Sequence, residues 1–347
     1  MPELLAGRVD DIVDLCQAVE QTSGWPATIV EKDLWVTWAL GVLFDSGKQL
    51  LSEQGHPVRL AFKGGTSLSK AYGVITRFSE DVDITMHFGD LGVLKEPLSD
   101  LSRNAAQKAR GRLTRQASVL VRDQVVPLLR ARMEELDPQG PWSIDVDDDN
   151  ELNVRLHYPH AFADTDPYLR EDVLLEFGGR NVAVPANSMN LTAMAHSHFP
   201  NVGTPLANNV QVLAGEYTFW EKVTLAHAEL KRATFASRVE RMSRHWSDLR
   251  ALSLHHLGAS ALNQTNLRDR VIEVKSAMFP AASGIDYRDV ARGQCEIAPP
   301  EGASLEALRS DYQSMLGSGM LGKEAPTWED VQNSVRNLQD RINSSAG

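Results

Sequence analysis

Cysteine is nearly absent from this chain. Cys16 and Cys295 are the two in 347 residues. Two thiols so far apart in sequence make no disulfide framework, and by themselves they cannot close a four-ligand zinc site. Long apolar runs are missing as well. The longest, residues 34–44, has 11 residues, where about 20 are needed to span a bilayer. The start, MPELLAGRVDDIVDL, has no basic segment ahead of an apolar one, so no secretory signal is read there and a reducing, cytoplasmic setting is expected. Low-complexity tracts and internal repeats are absent. With 42% hydrophobic and 23% charged residues, the composition excludes disorder as a description of the whole. Excess positive charge is also lacking. The formal charge is −11 and the pI is near 5.4, which as an average argues against a surface drawn to nucleic acid or anionic membrane everywhere.

The length is large for one hydrophobic core and suits two domains. Apolar residues at helical spacing in 8–20 and 29–44 predict two helices, separated by Gly24-Trp25-Pro26. Residues 58–63 read as a strand running into Gly64-Gly65-Thr66-Ser67, with a helix following to about residue 72. Residues 81–86 alternate like a strand, 102–135 form a long helical segment, and 152–158 and 173–177 are further strands. From about Glu216 the pattern is helical to 257, then again over 304–315 and 327–343, with 278–302 loop-like. The expected architecture is an α/β domain over 1–205 and a helical domain over 206–347, joined through the Pro, Asn and Gly-rich stretch 199–209.

Three features carry chemistry. The first is the strand–Gly64-Gly65-Thr66-Ser67–helix step. Two glycines let backbone N–H groups approach an anion, and a helix N-terminus adds partial positive charge. On its own such a step is an ordinary turn. The second is Asp81-Val82-Asp83. Alternate residues of a strand share a face, so these two carboxylates point the same way and repel unless a cation lies between them. Magnesium, an oxygen-seeking ion, answers that need and bridges to phosphates. The third is Glu176 in the apolar strand Val173-Leu174-Leu175-Glu176-Phe177. A charge there requires solvent or a partner, and the D-x-D site would be one.

These residues, read in order, resemble the signature of a known family. Phe62-Lys63-Gly64-Gly65-Thr66-Ser67-Leu68 followed by Arg77-Phe78-Ser79-Glu80-Asp81-Val82-Asp83-Ile84 is similar to the AbiEii/AbiGii-type (MenT-like) nucleotidyltransferase toxins, within the DNA polymerase β-like nucleotidyltransferase superfamily. Thr218-Phe219-Trp220-Glu221-Lys222 resembles the family's lysine motif, and Ser243-Arg244-His245-Trp246-Ser247-Asp248-Leu249 its late aspartate motif. Glu31-Lys32-Asp33 and Leu308-Arg309-Ser310-Asp311-Tyr312 fit its longer members. The fifteen residues from Thr66 to Glu80 exceed the superfamily's usual interval, which suits this family rather than its antibiotic-modifying relatives.

The resemblance implies a polymerase β-like mixed sheet flanked by helices, followed by an α-helical C-terminal domain. It implies that Asp81, Asp83 and Glu176 bind Mg²⁺, and that Gly64, Gly65, Thr66 and Ser67 hold the triphosphate of an NTP. Lys222 would neutralise its β- and γ-phosphates. Asp248 would position Lys222, Arg244 or the base, or else serve as an i,i+4 partner of Arg244. Arg77 would contact phosphate or pair with the acidic cluster. Ser79, also counted toward the nucleotide, either bonds the turn or is a phosphorylation site. Lys222 has an alternative reading as a solvated helix lysine beside Glu221. The implied activity is transfer of NMP to RNA, with the 3′ end of tRNA the leading acceptor, in a type IV-like toxin–antitoxin or abortive-infection system with a cognate antitoxin and no membrane partner. A protein or small-molecule hydroxyl acceptor, and a nucleotide-binding regulator without turnover, remain as alternatives.

Other clusters are read as ordinary. His196, His198, His255 and His256 have no cysteine or carboxylate at ligand spacing, and the acidic run 145–149 lacks the spaced ligands and glycine of a calcium loop. Charge is uneven. Residues 103–132 hold eight basic side chains against Asp123, a balance of +7, and 221–250 hold seven against four acids, +3, which leaves −21 for the remainder. A helix of that sign can follow a phosphate backbone, or can simply balance the acidic rest.

Overall fold

The structure, a computed structural model, describes residues 4–45, 49–94, 97–162, 170–299, 301–317, 320–321 and 325–345. Two compact units divide the chain. One takes Met1–Ala71, Phe78–Lys95 and Lys108–Leu213, and the other Tyr72–Arg77, Glu96–Gln107 and Ala214–Gly347.

The first unit is built on a seven-stranded mixed sheet in the order β3-β4-β5-β2-β1-β7-β6. Its strands are β1 (Leu60–Lys63), β2 (Val82–His87), β3 (Ser143–Val146), β4 (Asn153–His157), β5 (Val173–Asn181), β6 (Ala186–Thr192) and β7 (Leu206–Leu213). β2 pairs antiparallel with β1 and parallel with β5, which places it at the centre. Its even-numbered residues Val82, Ile84 and Met86 are fully buried. A strand alternates faces, so Asp81, Asp83 and Thr85 share the opposite one.

Strands β6 and β7 were not foreseen. β7 begins where the linker was expected, and its sequence Leu-Ala-Asn-Asn-Val-Gln-Val-Leu hides its pattern behind two asparagines, one of them, Asn209, at φ 54°. β7 hydrogen-bonds to both β1 and β6, and the last segment of the first unit runs to Leu213. The acidic run is divided. Asp145 and Val146 belong to β3, while Asp147 accepts a hydrogen bond from Arg155 at 2.8 Å.

Helices α1 (Val9–Ser23), α2 (Ala27–Asp45), α3 (Gly64–Lys70), α5 (Val126–Leu136) and α6 (Met194–His198) accompany this sheet. Helix α4 (Arg103–Leu120) joins α5 through one π-helical turn over Val121–Val125. α2 is buried nearly all round, Glu31, Lys32 and Asp33 included, so each of those charges requires a partner. Glu31 Oε1 accepts the Ala161 N–H at 2.6 Å, yet burial pushes its carboxyl up to about 7. The folded state therefore holds a proton that the unfolded chain has released between about pH 4.5 and 7, and stability falls as pH rises through that window. Glu31→Gln keeps the acceptor and removes the ionisation. It is expected to flatten this part of a plot of thermal midpoint against pH and to raise the midpoint at pH 8.

The second unit contains α7 (Gly215–Leu230), α8 (Ser243–Leu254), α9 (His256–Asn263), α10 (Thr265–Met278), α11 (Ala303–Gly317) and α12 (Trp328–Ser344). Its core holds Phe219, Trp220, Phe235, Trp246 and Tyr312. Two buried indole N–H groups find carbonyls, Trp220 on Ala261 at 3.1 Å and Trp246 on Ile297 at 2.8 Å, whereas the buried Trp328 Nε1 makes no hydrogen bond among the described residues. Asp311 of α11 accepts N–H bonds from Arg241 at 2.6 Å and Ser243 at 2.8 Å. It thus caps the first turn of α8 from a distant part of the chain. Among the described residues no helix is long and apolar enough to cross a membrane.

Candidate active site

In the first unit the site is assembled at one end of β1 and β2. Asp83 stands in register with Lys63 of β1 on one side and Glu176 of β5 on the other. Register partners on adjacent strands project from the same face, so Asp83 and Glu176 are side by side. Both are half-buried, whereas Asp81, just ahead of the strand, is buried. Gly64 opens α3 at φ +77°, and a Cβ on it would meet Asp83 Oδ2 at 1.9 Å. That position demands glycine twice over, for its backbone angle and for the carboxylate pressed against it.

The hydroxyls of the turn are already in use. Thr66 Oγ1 donates toward the Asp81 and Ser79 carbonyls, and Ser67 Oγ donates to the Gly64 carbonyl at 2.9 Å. Thr66 therefore ties the Gly-Gly turn to the D-x-D strand, and what the turn offers an anion is the backbone N–H groups of the first turn of α3. Ser79 as a whole residue is buried, and its carbonyl faces Thr66 Oγ1.

The D-x-D strand is further anchored from α2. Lys32 Nζ donates to Glu80 Oε2 at 2.8 Å and to the Arg170 carbonyl at 2.7 Å, and the Arg170 N–H donates to the same Glu80 oxygen at 3.0 Å. Asp33, next along α2, accepts from Lys70 Nζ at 2.6 Å, at the far end of α3. Two successive charges on one buried helix thus hold the residue before Asp81 and the end of the Gly-Gly helix. Glu31-Lys32-Asp33 entered the sequence reading only as part of a resemblance.

In the second unit, Asp248 of α8 is fully buried between two cations. Arg77 Nε and Nη2 donate to its two oxygens at 2.7 and 2.8 Å, and Lys222 Nζ of α7 lies 2.7 Å from Oδ2. Burial alone raises the Asp248 carboxyl, but Arg77 and then Lys222 outweigh it and hold the group well below the usual carboxylate range. Burial lowers the Lys222 ammonium, which Asp248 opposes. Burial, followed by Lys222 and Arg244, likewise holds His245 far below the ordinary imidazole range. Lys222 is thus no solvated lysine, and Asp248 positions both Lys222 and Arg77.

The chain matches, over residues 48–334, the profile of the family described as "Nucleotidyl transferase AbiEii toxin, Type IV TA system". It belongs to the AbiEii family of nucleotidyltransferase toxins. Among solved structures it is similar to the MenT4 nucleotidyltransferase toxin of Mycobacterium tuberculosis, at 13% identity, with 90% of this chain and 92% of that chain covered and a TM-score of 0.34. No curated protein matches it.

The AbiEii-like motifs contain the candidates Gly64, Gly65, Thr66, Ser67, Arg77, Ser79, Asp81, Asp83, Lys222 and Asp248, Glu176 is read from its apolar strand, and the structure adds residues outside them. Arg170 Nη1 lies 4.0 Å from Asp81 Oδ1, and nothing in its sequence neighbourhood marks it. Among the described residues no three His, Cys, Asp or Glu side chains are grouped closely enough to hold a metal ion. His196 and His198 lie 3.5 Å from the hydroxyls of Thr204 and Thr22, and the His255 and His256 rings are 4.1 Å apart. Both cysteines are buried and free.

Proposed function

We propose that this AbiEii protein transfers NMP from an NTP to a hydroxyl of RNA, the 3′ end of tRNA being the leading acceptor, and that a cognate antitoxin restrains it in a type IV-like system within the cytoplasm. The observation that carries the chemistry is Asp83 in register with Glu176 and packed against Gly64, whose positive φ and close approach to that carboxylate favour glycine. Asp83 and Glu176 side by side, with Asp81 just ahead of the strand, would each offer a carboxylate oxygen to a Mg²⁺ whose remaining ligands come from the triphosphate and water, since among the described residues no three such side chains are grouped closely enough to hold the ion alone. When bound, the metal would neutralise phosphate charge and lower the pKa of the acceptor hydroxyl. The acceptor oxygen attacks the α-phosphorus, the bond to the β-phosphate oxygen breaks, and pyrophosphate leaves. Glu176 would take the hydroxyl proton. Lys222, held by Asp248, is by resemblance the phosphate-neutralising lysine.

An RNA acceptor is favoured by one surface. Lys108, Arg112 and Arg115 lie at i, i+4 and i+7 of α4, opposite its core face of Ala109, Leu113 and Ala117. All three are exposed, and among the described residues none makes an ion pair. Farther along, Arg122, Arg130 and Arg132 are spent on Asp123, the Ile144 carbonyl and Glu135. Among the described residues Lys108, Arg112 and Arg115 are thus not balancing local acid. Converting Lys108, Arg112 and Arg115 together to Gln is expected to lower RNA labelling by about tenfold or more at low salt and to reduce the salt slope by up to about three, with the thermal midpoint unchanged.

Incubation with each labelled NTP, Mg²⁺ and total RNA tests the whole reading. Label in tRNA supports it, label in protein or small molecules moves the acceptor class, and NTP binding without transfer leaves a regulator.

A further inference from the structure

Arg170 stands three residues ahead of β5, the strand that carries Glu176, and its backbone is fixed on both sides. Its N–H donates to Glu80 and its carbonyl accepts from Lys32. Lys32 and Glu80 are each about 2% exposed, and burying an ion pair costs more desolvation than its mutual attraction generally returns. Such a pair is weak as a device for stability and strong as a device for fixing geometry. Here a single Glu80 oxygen holds Lys32 and the backbone of Arg170, and Glu80 is covalently next to Asp81. The pair therefore sets the position of Arg170 relative to the first carboxylate of the D-x-D.

The side chain is held far less. Arg170 Nη1 is 4.0 Å from Asp81 Oδ1, beyond hydrogen-bond distance, and the side chain is 35% exposed. Among the described residues its guanidinium makes no hydrogen bond. Its five N–H donors thus have, among the described residues, their hydrogen-bonding capacity unspent, on a side chain partly open to solvent near Asp81. A planar fork of donors is the group best matched to two oxygens of one phosphate.

We propose that Arg170 binds a phosphate of the nucleoside triphosphate, and that Lys32 and Glu80 are positioning residues that aim it. This rests on the nucleotidyl-transfer reading and adds to it a substrate contact that no motif contains. The competing role is a simple counter-ion that offsets the charge of Asp81.

Two variants of the full-length protein separate these roles. Arg170→Gln removes the charge, while Arg170→Lys keeps the charge and removes the fork. Binding of a non-hydrolysable NTP analogue is measured by calorimetry without divalent metal, and Mg²⁺ binding is measured alone. The expected result is an analogue affinity lower by about tenfold or more in both variants, the loss of one or two charge-assisted hydrogen bonds. The thermal midpoint should be nearly unchanged, because among the described residues the guanidinium makes no hydrogen bond and its contact with Asp81 is long. Should Arg170→Gln fail to fold, Arg170→Lys decides alone. Unchanged analogue affinity, with Mg²⁺ bound more tightly by Arg170→Gln, overturns the proposal and leaves Arg170 as the counter-ion. Failure of the underlying reading is a different result, in which the parent protein itself neither binds the analogue nor transfers nucleotide.

Discussion

Asp248→Ala is expected to cost the second unit about 3–5 kcal/mol, read as a fall in denaturant midpoint, because it leaves Arg77 and Lys222 buried together without their carboxylate. Few single substitutions in this chain strand two charges at once. The effect has a definite pH signature. Asp248 has a folded value depressed below its unfolded one, so its contribution is complete above about pH 4 and is lost only as pH falls through the depressed value. The parent should therefore lose this contribution progressively below about pH 4, where the aspartate of the unfolded chain takes up a proton that the folded one still refuses. In Asp248→Asn, Lys222 loses the partner that opposes burial and should release its proton at lower pH. The combined variant Arg77→Met/Lys222→Met/Asp248→Leu removes all three charges and should recover most of the stability while remaining inactive. If Asp248→Ala is as stable as the parent, the buried triad is not what holds α7 and α8.

Asp83→Asn is expected to reduce nucleotide transfer by roughly a thousandfold, about 4 kcal/mol of transition-state stabilisation. The substitution keeps shape and removes the charge. It also relieves repulsion with Glu176, its register neighbour. The thermal midpoint should hold or rise while activity disappears. That combination distinguishes a site residue from a structural one, since a structural aspartate would lose both. Retention of transfer above a tenth of the parent rate would contradict the assignment of Asp83.

Most of the helices, and the strands near the motifs, were legible because their apolar residues recur at helical or alternating spacing. The D-x-D strand, the Gly-Gly step and Glu176 could be found because each joins charge or glycine to an otherwise apolar pattern. β6 and β7 could not. β6 is an edge strand with mainly polar, partly exposed residues, and β7 interrupts its alternation with asparagines. Arg170 was invisible because its role comes from backbone bonds to residues 90 and 138 positions away. Asp311 was legible only as part of a motif, since a helix cap supplied from another helix leaves no mark beside the residues it caps. Local pattern reports elements and their faces. It does not report which buried charge will meet which.

The central claim is nucleotidyl transfer, and the position of the transferred phosphorus tests it most directly. Parallel reactions with α-labelled and γ-labelled NTP, Mg²⁺ and RNA should place the α-label in the RNA and the γ-label in pyrophosphate, with neither product formed by Asp83→Asn. Label from the γ-position in the acceptor, or α-label transferred equally well by Asp83→Asn, would contradict the account.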